Sequence, residues 1–149
     1  MIALWAIMIA IFVITGLIDN YFFTIPAIGV TLQLAAPLGL MAAGQTICML
    51  TGGIDLSIAM IATGAAYIVA IKSQDGLLIG ILWALLFCLV IGSINGLAVG
   101  LLKMNPLIMT LGMNAILIGV FTVGVSTFLK GSSTMPELII KMSTGAIIE

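Results

Sequence analysis

The residues with chemistry to offer are few. Gln33, Gln45, Asn95 and Asn114 interrupt long apolar runs. An amide facing hydrocarbon is costly, so each should point at a neighbouring helix or a wet cavity. Two uses fit that placement. Amides hydrogen-bond between helices, at about 0.6 kcal/mol per contact on average. They also suit the wall of a passage for a hydroxyl-rich solute, whose OH groups want amide partners. On that second reading Gln45, Asn95 and Asn114 are the candidate wall residues.

Leu50-Thr51-Gly52-Gly53-Ile54-Asp55-Leu56-Ser57 is the most distinctive stretch. Gly52 and Gly53 are expected to end one helix, because glycine takes a left-handed cap conformation cheaply. Asp55 or Ser57 is then placed to cap the next helix and accept its free N–H groups. A carboxylate at mid-bilayer costs about 2.5–3.5 kcal/mol on insertion scales, and less near an interface. The stretch therefore reads as a structural turn and cap, with a broken-helix ion or solute site as the alternative.

Other chemistries lack their residues. Hydrolysis needs paired acids, a Ser–His or Ser–Lys arrangement, or metal ligands. The chain has no histidine, and no two such groups sit in helices at i, i+4 spacing. Cys48 and Cys88 lie inside apolar runs without a CxxC pattern and read as small packing residues. No GxxxxGK[ST] loop is present to cradle phosphates, so ATP chemistry would lie on another chain. Neither an enzyme activity, a cofactor nor a metal is expected. A net charge of −1 offers no basic patch for nucleic acid.

The elements that must hold these residues follow from composition. Of 149 residues 63% are apolar and only 6% charged, against about a quarter charged in a soluble domain. Membrane lipid is the expected surrounding. Crossing ~30 Å of hydrocarbon takes roughly 20 apolar residues. The charges at Asp19, Asp55, Lys72, Asp75, Lys103 and Lys130 divide the chain into spans near 1–18, 28–50, 54–71, 77–102 and 106–129. The expected fold is an all-α polytopic transmembrane bundle of five spans over 1–129, with a polar extramembrane tail over 130–149. A membrane barrel would alternate apolar and polar residues in segments of about ten; Leu77–Phe87 is apolar on every side. Met1–Ile18 lacks the basic start and cleavage pattern of a signal peptide.

Seventeen glycines need a reason. Small residues let helix backbones approach where no hydrophobic force presses them together. Gly92, Gly96 and Gly100 recur four apart on one face, as do Ala35, Gly39 and Ala43, and both stripes read as helix packing. Tyr21–Pro26 reads as an interfacial aromatic turn, and Lys103-Met104-Asn105-Pro106 as a tight turn between spans.

Gly52-Gly53-Ile54-Asp55-Leu56-Ser57 resembles the GGIDLS signature of ribose-type sugar permeases, the membrane subunits of ATP-binding-cassette (ABC) importers. Asn20-Tyr21-Phe22-Phe23-Thr24 is similar to the family's aromatic NFFT stretch. Gly92-Ser93-Ile94-Asn95-Gly96-Leu97 resembles its G-x-INGL segment, and Asn105–Gly112 its PxFIxTLG stretch. The resemblance implies a multi-pass permease of the bacterial inner membrane working as a pair of permease chains. It also implies separate ATPase subunits and a periplasmic solute-binding protein. Family members are longer, so the chain looks like an N-terminal half that needs the remaining permease half.

Orientation divides the two lines of reading. The resemblance implies an internal N-terminus, with Lys72, Lys130 and Lys141 outside and Lys103 inside, and the 130–149 tail periplasmic. The positive-inside rule prefers the reverse. With only four lysines the rule has little force, and the family orientation is kept. Two other functions compete: an ion-coupled secondary carrier, for which Asp55 is the sole intramembrane acid on offer, and a non-transporting assembly subunit.

Overall fold

The computed structural model describes residues 2–128. The expected polar tail over 130–149 lies outside the described residues. The chain is all-α: α1 (Ile2–Ile18), α2 (Ile25–Leu50), α3 (Ile58–Lys72), α4 (Leu77–Gly100) and α5 (Pro106–Phe128), with a one-turn 3₁₀ helix at Ser73–Asp75. Among the described residues there is no strand. Ile25–Leu50, Leu77–Gly100 and Pro106–Gly124 are long and apolar enough to cross a membrane. The 17 residues of α1 and the 15 of α3 are shorter, about 25 and 22 Å at the helical rise.

The burial pattern inverts that of a water-soluble domain. Leu85, Leu89 and Ile116 are 60%, 66% and 61% exposed, while the buried set includes the small residues Ala70, Ala84 and Ala98. With lipid as the solvent, large apolar side chains lose nothing by facing outward, and small ones let the helices touch.

The described chain forms two compact units, divided within α2 after Leu40. In the first, α1 leads into a turn in which Asp19 Oδ1 accepts the Tyr21 N–H at 2.9 Å. Thr24 Oγ1 donates to the Tyr21 carbonyl at 2.7 Å. The turn ends sooner than the sequence suggests, and α2 begins at Ile25 rather than 28 because proline is tolerated in a helix's first turn. Phe22 and Phe23 pack edge-on to Phe12, with ring centroids 5.0 and 5.7 Å away. The Phe23 ring fills the space where a side chain at Gly16 would stand.

The second unit holds the C-terminal part of α2, then α3, α4 and α5. Its main contact is α3 against α4. Gly80 brings α4 onto the end of α3: a Cβ there would lie 3.0 Å from Ser73 N and 3.2 Å from the Val69 carbonyl. Further along, a Cβ at Gly64 would overlap Phe121 and crowd Phe87. Phe121 stacks on Tyr67 at 5.9 Å and meets Phe87 edge-on at 5.9 Å. The close-packing helical glycines within this unit are thus Gly64 and Gly80, and at the α2–α3 turn a Cβ on Gly53 would lie 3.3 Å from Pro106 Cβ. For Gly92, Gly96 and Gly100 nothing lies within 4 Å of an added Cβ. Packing through that stripe needs a surface beyond the described residues.

Candidate functional site

The break between α2 and α3 is built by main-chain bonds that only a left-handed residue allows. Gly52 has φ +82°. Its N–H reaches the Met49 carbonyl at 3.0 Å, and the Gly53 N–H reaches back to the Cys48 carbonyl at 3.1 Å. This is the paired 6→1 and 5→2 closure of a Schellman motif. Thr51 Oγ1 adds a third bond to the Cys48 carbonyl at 2.7 Å. Residues 54–57 then run outside any helix before α3 starts at Ile58, four residues later than the span boundary expected from sequence.

Side chains from three helices hold that segment. Gln45 on α2 faces Asp55 with its whole amide: its nitrogen donates to the Asp55 carbonyl at 3.0 Å, and its oxygen accepts the Asp55 N–H at 3.2 Å. Thr110 on α5 accepts the Leu56 N–H at 3.0 Å. Its hydroxyl donates to the Pro106 carbonyl at 2.8 Å, with the Ile54 carbonyl at 3.2 Å. The Ser57 N–H and hydroxyl both donate to Asp55 Oδ1, at 2.8 and 2.6 Å. Asn95 on α4 donates from Nδ2 to Ser57 Oγ at 2.9 Å.

These contacts revise one expectation. Ser57 occupies the N-cap position of α3 but makes no side-chain cap bond, because its hydroxyl is used between Asp55 and Asn95. Asp55 accepts only from Ser57 among the helix-entry groups, closing an Asx-type turn rather than capping the first turn of α3. Nor does the close Ser57–Asp55 pair make a nucleophile, since Ser57 is fully buried. Among the described residues no group of three or more histidine, cysteine or carboxylate side chains could hold a metal.

Beside this network lies an open-sided cavity of about 270 Å³, lined by Gly53, Ile54 and Asp55 of the break, Gly92, Asn95 and Gly96 of α4, and Thr110 of α5, with Cys48, Thr51, Val99 and Pro106. Residues 27–142 of the chain match the family model described as branched-chain amino acid transport system, permease component. The chain belongs to this permease family.

Two relatives illustrate the match. The autoinducer 2 import system permease protein LsrC of Yersinia pseudotuberculosis serotype O:3 (strain YPIII) is 36% identical over 112 residues, covering 74% of this permease chain and 32% of that relative. The protein of the same name from Yersinia pestis (strain Pestoides F) has the same identity and coverage. The permease chain thus spans about a third of the length of the curated relatives it matches. No solved structure matches it.

The permease fold brings together some of the residues singled out by sequence and separates others. Asn95 lines the cavity, as do Gly53, Asp55, Gly92 and Gly96. Gln45 is half-buried and reaches the break through the Asp55 main chain, not through the cavity wall. Asn114, half-buried one turn beyond Thr110 on α5, is outside the lining. Gln33 is exposed and belongs to the first unit. Sequence reasoning missed Thr110, which is buried and joins α5 to the break. Its hydroxyl bonds the carbonyl four residues back, as do those of Thr15, Thr31, Thr46 and Thr63. A self-satisfied helical threonine carries no mark that distinguishes it from those four.

Proposed function

We propose that this chain is part of the membrane permease subunit of an ATP-driven ABC importer that carries a simple sugar such as ribose, or a related small hydroxylated solute. The match of residues 27–142 to the permease family carries the permease part of the reading, and the sugar cargo rests on the resemblance of Gly52–Ser57 to the ribose-type signature. The relatives are named as permeases of an autoinducer 2 import system, which supports an import role and puts autoinducer 2 among the cargoes to test. In this reading separate ATPase subunits drive the cycle, a periplasmic binding protein delivers the solute, and a second permease chain completes the path. The rest of the permease, beyond the 32% of a relative that the match covers, belongs to the same machine.

The bacterial inner membrane is the proposed setting, with all five helices crossing it and the N-terminus inside. The helix break supports a transport role physically. Discontinuous helices at membrane depth are tolerated only where the backbone is buried in protein or lines a cavity, and Thr51, Gly53, Ile54 and Asp55 of the break line one.

Uptake by proteoliposomes tests the proposal. The full-length permease, its ATPase and its binding protein are reconstituted, and labelled D-ribose and autoinducer-2 are offered. The expected result is accumulation that requires hydrolysable ATP and survives a protonophore. Uptake abolished by the protonophore at constant ATP would assign the protein to the ion-coupled carriers instead.

A further inference from the structure

The Asp55–Ser57–Asn95 chain leaves one buried acceptor over. Asn95 is 6% exposed. Its Nδ2 is used on Ser57, and its Oδ1 is buried with no hydrogen-bond partner among the described residues. An unmet buried acceptor is destabilising, and the loss is recovered only when a donor arrives. Ser57 cannot be that donor, because its hydroxyl hydrogen goes to Asp55. Thr110 is committed in the same way to main-chain carbonyls.

The adjoining cavity indicates the kind of donor. Its volume of about 270 Å³ compares with roughly 30 Å³ for one water's share of the liquid. Much of the wall is apolar or glycine main chain, including Cys48, Gly53, Gly92, Gly96, Val99 and Pro106. Its polar side chains are few: Thr51, Asp55, Asn95 and Thr110. A molecule with C–H faces and hydroxyls at its edge fits a mainly apolar pocket with a few placed polar groups. Gly92 and Gly96 stand close to Asn95 along α4, and the space beyond both is open.

We propose that a neutral polyhydroxylated solute docks in this cavity and donates one hydroxyl to Asn95 Oδ1. The inference rests on the permease reading above and deepens it by naming the contact. Because Oδ1 is closed to solvent in this conformation, the solute reaches it only by shifting the wall. The contact is therefore a transient station on the path. Cys48 lines the same cavity and reports its occupancy; Cys88, outside the lining, is the control.

The test uses the full-length permease reconstituted with its ATPase and binding protein. Labelling of Cys48 and Cys88 by a water-soluble methanethiosulfonate is read by peptide mass spectrometry with and without D-ribose, alongside ATP-driven D-ribose uptake. D-Ribose is expected to slow Cys48 labelling and leave Cys88 unchanged. Asn95→Leu is expected to remove that protection and lower uptake about tenfold, the equivalent of about 1.4 kcal/mol. Should Asn95→Leu fail to fold, Gly96→Val narrows the cavity without touching the network and is expected to give the same losses.

Wild-type uptake with Cys48 unprotected, or unlabelled throughout, overturns the inference while leaving the permease reading intact. So does wild-type uptake and protection in a folded Asn95→Leu, or in Gly96→Val where Asn95→Leu does not fold. Absence of any ATP-driven D-ribose or autoinducer-2 uptake by the wild-type assembly overturns both.

Discussion

Gln45 holds Asp55 by its backbone and not by its charge: the amide spans the Asp55 N–H and carbonyl at 3.2 and 3.0 Å. The carboxylate is left free to take both donors of Ser57. One residue of the break is thus clamped on two sides, by an amide from α2 and by the turn that begins α3.

Removing that clamp should cost stability. Gln45→Leu leaves the Asp55 N–H and carbonyl without their partner, at about 1–3 kcal/mol. Gln45→Glu should also be harmful, because an ionised carboxylate cannot donate to the Asp55 carbonyl. Thermal unfolding of the purified full-length permease in detergent measures both, and wild-type melting of Gln45→Leu would show that the amide does not hold the break.

Gly52 and Gly96 should respond oppositely to alanine. Gly52 sits at φ +82°, where a side chain costs about 1–2 kcal/mol. Gly96 has open space around it, so Gly96→Ala should be close to neutral in the same melting experiment. A larger loss at Gly96 than at Gly52 would mean that the Gly92–Gly96–Gly100 face is packed against a surface of the assembly.

The Gly64 contact predicts a rescue. Gly64→Ala pushes a methyl into the rings of Phe121 and Phe87, and overpacking of this kind costs about 1–3 kcal/mol. Phe121→Leu in the same chain makes room, so the double variant should be less destabilised than the sum of the singles. Additive losses in the double-mutant cycle would show that the methyl is accommodated elsewhere.

Thr110 should tolerate serine and not valine. Thr110→Ser keeps the hydroxyl that meets the Leu56 N–H and the Ile54 carbonyl. Thr110→Val keeps the shape and strands both groups, with an expected loss of about 1–3 kcal/mol. Limited proteolysis near residues 51–57, alongside melting, reads whether the break has loosened. Equal behaviour of the two variants would discount the hydroxyl.

Much of this permease chain is legible before folding because lipid imposes simple demands. Long uncharged runs must be helical, since the backbone has no water to bond with; four helices fall within uncharged runs, and α3 takes in Lys72 at its end. Gly52 and Gly53 announced the end of α2 because a left-handed cap has few other occupants. Asn105 shows the same legibility at the other turn: its Oδ1 accepts the Leu107 N–H at 2.9 Å, ahead of Pro106 in the first turn of α5. Partners, by contrast, depend on which faces meet. Nothing in the spacing of Gln45, Asn95 and Asn114 separates a main-chain clamp, a buried amide with one atom unpaired and a residue off the cavity. Nor does four-residue spacing reveal that Gly64 and Gly80 are pressed against neighbours here while Gly92 and Gly96 are not. Periodicity and backbone conformation are local and show in one chain segment. Hydrogen-bond pairing between residues 38 positions apart, as for Ser57 and Asn95, arises only once the helices have chosen their mutual rotation.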